Sequence, residues 1–259
     1  VADLKVLVAE NDELHAAFAV SVIVDLCGAT VDLVCAVDEK SGVAAALAGD
    51  ITYAVLDLQL PDGSGIEIAR ALWRRRPETQ ILFWSNFADE AYVRSLARIV
   101  PAGSNYGYLL KSASEGEMQA ALDALFFKDR SVIHGEVRVL QHRVADRLAG
   151  LSDTEYEGLV DIALGLTDRV IAKRRRLSER GVQNRLRHIY EKLDIVPGEG
   201  REGVADVNSR TRAISIAFQR GLITLDVLRR EQETLEVWLQ REFGRPSGLK
   251  PSASITLPR

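Results

Sequence analysis

Five short apolar runs punctuate the first half of the chain: KVLVA from Lys5, TVDLVCA from Thr30, YAVLDL from Tyr53, QILFWS from Gln80 and YGYLL from Tyr106. Each is nearly continuous rather than alternating, the pattern of strands buried on both faces, and each is followed by an Ala- and Leu-rich segment with helical spacing. Strand and helix in regular alternation predict a doubly wound parallel sheet of five strands. The first helix is legible in detail. Asp12 or Glu13 can open it, Val20, Val24 and the apolar residues through Leu26 line it, and Cys27-Gly28 ends it.

Beyond Phe127 the strand pattern stops. Val137, Leu140, Val144 and Leu148, closed by Gly150, predict a linker helix that either packs on the preceding domain or serves as a dimer surface. From Leu151 the chain reads as successive short helices. Ser152 and Glu155 form an S-x-x-E capping box ahead of an apolar stripe of Leu159, Ile162, Ala163 and Leu166, ended by Gly165-Leu166. Thr167 or Asp168 can cap a second helix through Arg174. Ser178 can cap a third, whose apolar positions are Val182, Leu186, Ile189, Tyr190 and Leu193. Two short helices with a tight connection, the second studded with cations, make a helix-turn-helix candidate whose second helix would enter a DNA major groove.

Composition narrows the class. The 259 residues exceed one typical single-core domain, and 47% hydrophobic with 27% charged residues is ordinary globular composition. No apolar run approaches the roughly 20 residues of a membrane span, and no signal pattern opens the chain, so a cytoplasmic protein without membrane association is expected. Cys27 and Cys35 lack metal or disulfide spacing and read as small core residues. The net charge of -4 conceals a division: Val1–Lys128 holds 18 acids against 10 bases, whereas Lys173–Lys192 holds 8 bases against 2 acids. An acidic module beside a basic window suggests a grafted anion-binding patch.

In an open parallel sheet the residues following each strand converge on one crevice. Here these are Glu10 and Asn11, Asp57, Ser85 and Lys111. Glu10, Asp57, Asn11 and the carbonyl of Gln59 offer the oxygen ligands that Mg2+ prefers. Lys111 can neutralise a phosphoryl oxygen on Asp57, and the Ser85 hydroxyl can donate to another.

DLQLPDGSGIEIA (Asp57–Ala69), Ser85 and GYLLKS (Gly107–Ser112) together resemble the receiver domain of two-component response regulators, over roughly Leu4–Phe127. The resemblance implies that Asp57 is the phosphoacceptor, that Lys111 and Ser85 bind the phosphoryl group, and that Tyr108 is the aromatic switch. A sensor histidine kinase or a small phosphodonor would then supply the phosphoryl group. The chain departs from the pattern at Asn11, where receivers usually carry a second adjacent acid that ligates the metal. Two unit charges about 4 Å apart interact by roughly 4 kcal/mol at an effective dielectric near 20, so this exchange weakens Mg2+ binding. A register one residue later would let Asp12 supply the carboxylate, but Asp12 fits a helix start better. Trp84 and Asn86, flanking Ser85, are also unusual.

The segment Leu151–Ile195 resembles the LuxR-type DNA-binding domain of the NarL/FixJ response-regulator class, with SERGVQNRLRHIYEKLDI as its recognition helix. The resemblance places Arg180, Gln183 and Asn184 where relatives contact bases or phosphates, with Arg187 and Lys192 adding backbone contacts to double-stranded DNA. Three departures stand out. Gly181 replaces a common Thr, Arg175 occupies a usual apolar core position, and residues 196–209 form an inserted Gly-rich loop. Leu225, Leu228, Gln232, Leu235 and Leu239 then follow a three-four spacing, either a short coiled-coil seam or a helix docking on its own chain.

The expected architecture is therefore α/β followed by all-α: a five-stranded parallel doubly wound receiver domain (1–128), a linker helix (129–150), a helix-turn-helix domain (151–222), a C-terminal amphipathic helix (223–244) and a disordered tail (245–259). The function expected is a DNA-binding transcription regulator, acting as a homodimer and controlled through phosphorylation of Asp57. Two other readings remain: a degenerate receiver governed by ligand or protein binding, and an interaction module that does not bind DNA. An aspartyl phosphatase is disfavoured, because Leu58 and Gln59 stand where a second acid would follow the nucleophile.

Overall fold

A computed structural model describes residues 4–28, 31–61, 63–146, 150–195 and 208–244. Strands β1 (Lys5–Ala9), β2 (Asp32–Ala36), β3 (Tyr53–Leu56), β4 (Gln80–Ser85), β5 (Tyr106–Leu110) and β6 (Val132–Ile133) form one parallel sheet in the order β2-β1-β3-β4-β5-β6. The sixth strand corrects the expectation of five. Val132 and Ile133 are too few to show a period of their own, and become a strand because the free edge of β5 pairs with them.

Alternate residues of the central strands enter two separate cores. Leu7, Leu56, Ile81, Phe83 and Tyr108 face α2 (Glu39–Ala48), α3 (Gly65–Arg75) and α4 (Glu90–Ile99). Val6, Val8, Val55, Leu82 and Trp84 face α1 (Glu13–Cys27) and α5 (Glu115–Lys128). Each such fully buried aliphatic side chain contributes about 1.5–3 kcal/mol, which fixes the strand register and so the positions of the residues that follow each strand. Asp12 is the cap of α1, its carboxylate accepting from the backbone N–H groups of Leu14 and His15. The buried stripe of α1 is Ala19, Val22 and Ile23, with Val20 and Val24 only half-buried. Neither cysteine is a fully buried core residue: Cys27 is half-buried, and Cys35 lies exposed on the edge strand β2.

Helix α6 (Gly135–Ala145) packs against α4, burying Val137 completely and setting Leu140 and Val144 against the core beneath α2, α3 and α4. Leu148 lies outside the described residues. Four helices, α7 (Asp153–Ala163), α8 (Asp168–Arg175), α9 (Glu179–Lys192) and α10 (Ser209–Gln219), surround a third core of Leu159, Ile162, Ile171, Val182, Leu186 and Ile189. The Ser152–Glu155 capping box is formed at the start of α7. The inserted stretch 196–207 and the tail 245–259 lie outside the described residues. Helix α11 (Leu225–Phe243) docks on its own chain through Val227 and Leu235, with Leu228 half-buried against the helical core, the second of the two arrangements its spacing allowed; Leu225, at the start of the seam, is 72% exposed.

Arg175 finds partners rather than solvent. It donates to both oxygens of Asp161, which is wholly buried, and to Glu157, while Arg174 bridges Asp161 and Glu231. Removing either arginine would leave a buried carboxylate short of donors, the arrangement in which breaking an ion pair is most costly.

Candidate functional site

The strand ends converge as the topology requires. Lys111, after β5, sends its Nζ between two buried carboxylates, 2.8 Å from Asp57 Oδ2 after β3 and 2.7 Å from Glu10 Oε2 after β1. The other oxygens are held by backbone: Asp57 Oδ1 accepts from the Gln59 N–H at 2.9 Å, and Glu10 Oε1 from the Asp12 N–H at 3.1 Å. Gly65 lets α3 begin directly against this loop, because a Cβ there would collide with the Asp57 carbonyl. Burial raises the Asp57 carboxyl above its ordinary range and the neighbouring Glu10 charge adds to this, while the Gln59 N–H and Lys111 pull it down.

Asn11 is exposed and lies on the rim with Gln59, Leu60 and Pro61. Because Asp12 is spent as a helix cap, it is not turned to the pocket as a substitute acid. The available donors are hard oxygens of the kind Mg2+ takes, but they carry two carboxylates and both already contact one ammonium. Among the described residues no group of three or more His, Cys, Asp and Glu side chains could hold a metal ion. The residues therefore fit a hydrated magnesium ion in type and fall short of it in charge.

Ser85 and Tyr108 are both fully buried. The Tyr108 hydroxyl donates to the carbonyl of Phe87 at 2.9 Å, and the Ser85 hydroxyl accepts from the Phe87 N–H at 3.4 Å, so both fasten the loop entering α4. Trp84 alternates to the opposite face of the sheet, stacked on Phe18 with its ring 5.4 Å below the Lys111 ammonium. It thus forms a wall behind Lys111 rather than part of the Ser85–Tyr108 pair. Asn86 is exposed.

Helix α4, which begins at the end of this loop, touches the helical domain. The Ala91 N–H donates to the Gly221 carbonyl at 3.1 Å, and the Tyr92 hydroxyl to Asp226 at 2.9 Å. Arg94, 4% exposed, holds buried Glu90 one turn back, donates to the Leu151 carbonyl at 2.6 Å and lies 4.8 Å over the Tyr156 ring. Arg230 on α11 reaches Glu67 on α3 at 3.1 Å. Gly221, with φ of 61°, sits so close to Asp89 that an added Cβ would collide with its carboxylate. None of these contacts had been assigned from sequence. The one local signal was Glu90 and Arg94 at an i,i+4 spacing within the apolar positions Ala91, Val93 and Leu96.

On α9, Ser178 caps the helix by accepting from the Gly181 N–H at 3.1 Å. Arg180, Gln183, Asn184 and Arg187 are exposed at helical spacings that put them on one face, while Val182, Leu186 and Ile189 are buried on the other. Lys192 is directed inward, bonding Glu155 and the Gly150 carbonyl at 2.9 Å each. The basic window thus divides. Lys173, Arg174, Arg175 and Lys192 hold acids of this chain, whereas Arg176, Arg180 and Arg187 have no ion pair among the described residues. No helix among the described residues is long and apolar enough to cross a membrane.

No protein-family model matches the chain. Curated relatives do. The chain is 32% identical over 183 residues to the "DNA-binding transcriptional activator DevR/DosR" of Mycobacterium tuberculosis, covering 66% of this chain and 81% of that one. It is 28% identical over 196 residues to the "Transcriptional regulatory protein YdfI" of Bacillus subtilis, covering 73% and 84%. Among solved structures, the RcsB–DNA complex matches with a TM-score of 0.51 at 19% identity, covering 83% of this chain and 98% of that one, a likeness of fold. With the receiver-type sheet, the helix-turn-helix core and the DevR/DosR match agreeing, the chain belongs to the NarL/LuxR family of response regulators.

Proposed function

We propose that this protein is a non-enzymatic, cytoplasmic transcription regulator that binds double-stranded DNA through α9 and is controlled from the Asp57 pocket. The observation that carries this reading is the free face of α9: Arg180, Gln183, Asn184 and Arg187 project from a helix whose opposite side is locked into the domain core. Gln183 and Asn184 are suited to read base edges, and Arg180 and Arg187 to contact phosphates. Lys192 contributes indirectly, by fixing the end of α9 to Glu155. A homodimer would present two such helices to an inverted repeat about one DNA turn apart.

In the phosphoacceptor reading, an oxygen of ionised Asp57 attacks phosphorus of a histidine kinase's phosphohistidine or a small phosphodonor, forming an acyl phosphate as the donor's leaving group departs. Lys111 faces that oxygen and would neutralise the incoming charge; the Ser85 hydroxyl, at the end of β4, would donate to another phosphoryl oxygen. Glu10, Asp57, the Gln59 carbonyl and Asn11 would hold a magnesium ion, which when bound supplies charge neutralisation for the phosphoryl oxygens. Movement of Ser85 or Tyr108 reaches α4 through Phe87, and α4 touches the helical domain at Gly221 and Asp226.

A second reading has its own support. Lys111 already balances both carboxylates, which suits a pocket that works without phosphate. Incubation with acetyl phosphate and Mg2+, followed by intact-mass measurement, separates the two: an adduct lost in Asp57→Asn supports phosphorylation, and no adduct supports the phosphate-independent pocket. For DNA binding, equally weak salt-sensitive retention of random and promoter fragments, unchanged in Arg180→Ala or Asn184→Ala, would defeat the assignment.

A further inference from the structure

Between the receiver sheet and the helical domain lies a cavity of about 290 Å3, lined by guanidinium groups from α3, α4, α8 and α11. Two of its five arginines are fully used. Arg94 is spent on Glu90, the Leu151 carbonyl and Asp153, and Arg175 on Asp161 and Glu157. The other three keep donors to spare. Arg70 uses only Nε, on Glu67; Arg230 uses Nε on the Asp226 carbonyl and Nη1 on that same Glu67; Arg98 has one ion pair, with Asp153 at 3.9 Å. Glu157 and Glu231 also line the space, but each is already held by an arginine.

We propose that this cleft is a binding site for a small molecule carrying a pyrophosphate or two closely spaced phosphoryl groups, gripped by Arg70, Arg98 and Arg230 and bridging the two domains. Planar guanidinium forks match phosphate oxygens and give the strong, charge-assisted class of hydrogen bond. Two cations sharing one carboxylate, as Arg70 and Arg230 share Glu67, gain from a further anion. The convergence of charge is visible at the cavity floor: burial pushes the Tyr156 phenol up to about 12 although Arg94, Arg98 and Arg230 all pull it down. A pyrophosphate-sized anion suits this volume, which lies at the lower edge of the range for small-molecule sites. The site is independent of both the Asp57 pocket and α9, and so extends beyond the proposed function.

The test is calorimetric titration of the full chain with sodium pyrophosphate, without Mg2+ and at ionic strength fixed with sodium chloride. Saturable binding is expected, weakened at least tenfold in Arg98→Gln and in Arg70→Gln, two partly exposed positions whose loss leaves the folded core intact. The same binding should persist in Asp57→Asn and in Arg187→Ala. The proposal is overturned by no saturable heat up to about 10 mM, by equal affinity in both cleft variants, by loss in Arg187→Ala, or by an identical response to sodium sulfate at matched ionic strength.

Discussion

Replacing Arg94 by methionine tests whether α4 holds the helical domain through a buried ion pair. Glu90 and Arg94 are 1% and 4% exposed, joined by bonds of 2.9 and 2.8 Å. In Arg94→Met the Glu90 carboxylate is left buried and unpaired, a change that costs about 3–5 kcal/mol. Part of that loss is escapable. Glu90 can regain water if the helical domain lifts off, since Ala91 beside it belongs to that domain's core. The cost should therefore emerge as undocking. At about 1.4 kcal/mol per decade, the docking equilibrium shifts by roughly two to three and a half decades. The double variant Arg94→Met with Glu90→Met removes both charges and should recover most of the docking, losing chiefly the Leu151 carbonyl's donor and the cation over Tyr156, each worth about 1–2 kcal/mol. Small-angle scattering and limited proteolysis between α6 and α7 report docking directly. The reasoning fails if Arg94→Met stays as compact and protease-resistant as the parent, or if the double variant opens as far as the single one.

Three further outcomes follow from the same geometry. Asn11→Asp restores an acid at the pocket rim and should tighten Mg2+ binding by at least tenfold, read by titration of Trp84 fluorescence; an unchanged affinity would show that Asn11 is not directed at the ion. Arg187→Ala should weaken binding to all DNA sequences alike and lower the slope of log affinity against log salt by about 0.9; sequence-selective loss would instead make Arg187 a base reader. Asp57→Asn bears on pH. Burial raises the folded-state pKa of Asp57, so between the unfolded value of 3.8 and that raised value the folded chain binds the extra proton, and stability falls as pH rises through the window. Melting temperatures at pH 4 and pH 7 should show a larger gain from Asp57→Asn at pH 7 than at pH 4; equal gains at both would contradict the burial argument.

Much of the Asp57 pocket was legible because strand register transmits position. Once the apolar runs fixed where β1, β3 and β5 end, Glu10, Asp57 and Lys111 come together at one rim, while the Ser85 hydroxyl after β4 is bonded at Phe87. The roles of Trp84 and Lys192 were not. Trp84 borders Ser85 in sequence, yet alternation turns its ring to the opposite face. Lys192 belongs to a basic helix, yet its place in the last turn of α9 brings it to the capping-box residue Glu155 on α7.

The sequence by itself determined the first five strands and their alternation with helices, the convergence at Asp57 and the polar face of α9, because these follow from periodicity and capping within a few residues of chain. Only the tertiary structure decided how charge is shared. Val132–Ile133 became a strand because β5 had an open edge, Arg175 became an internal residue because Asp161 lay beneath it, and α4 became an interdomain contact because Gly221 and Asp226 meet it. Those outcomes depend on partners 14 to 134 residues away along the chain. Whether a cation faces DNA or a buried carboxylate is set by that packing, and local spacing carries no record of it.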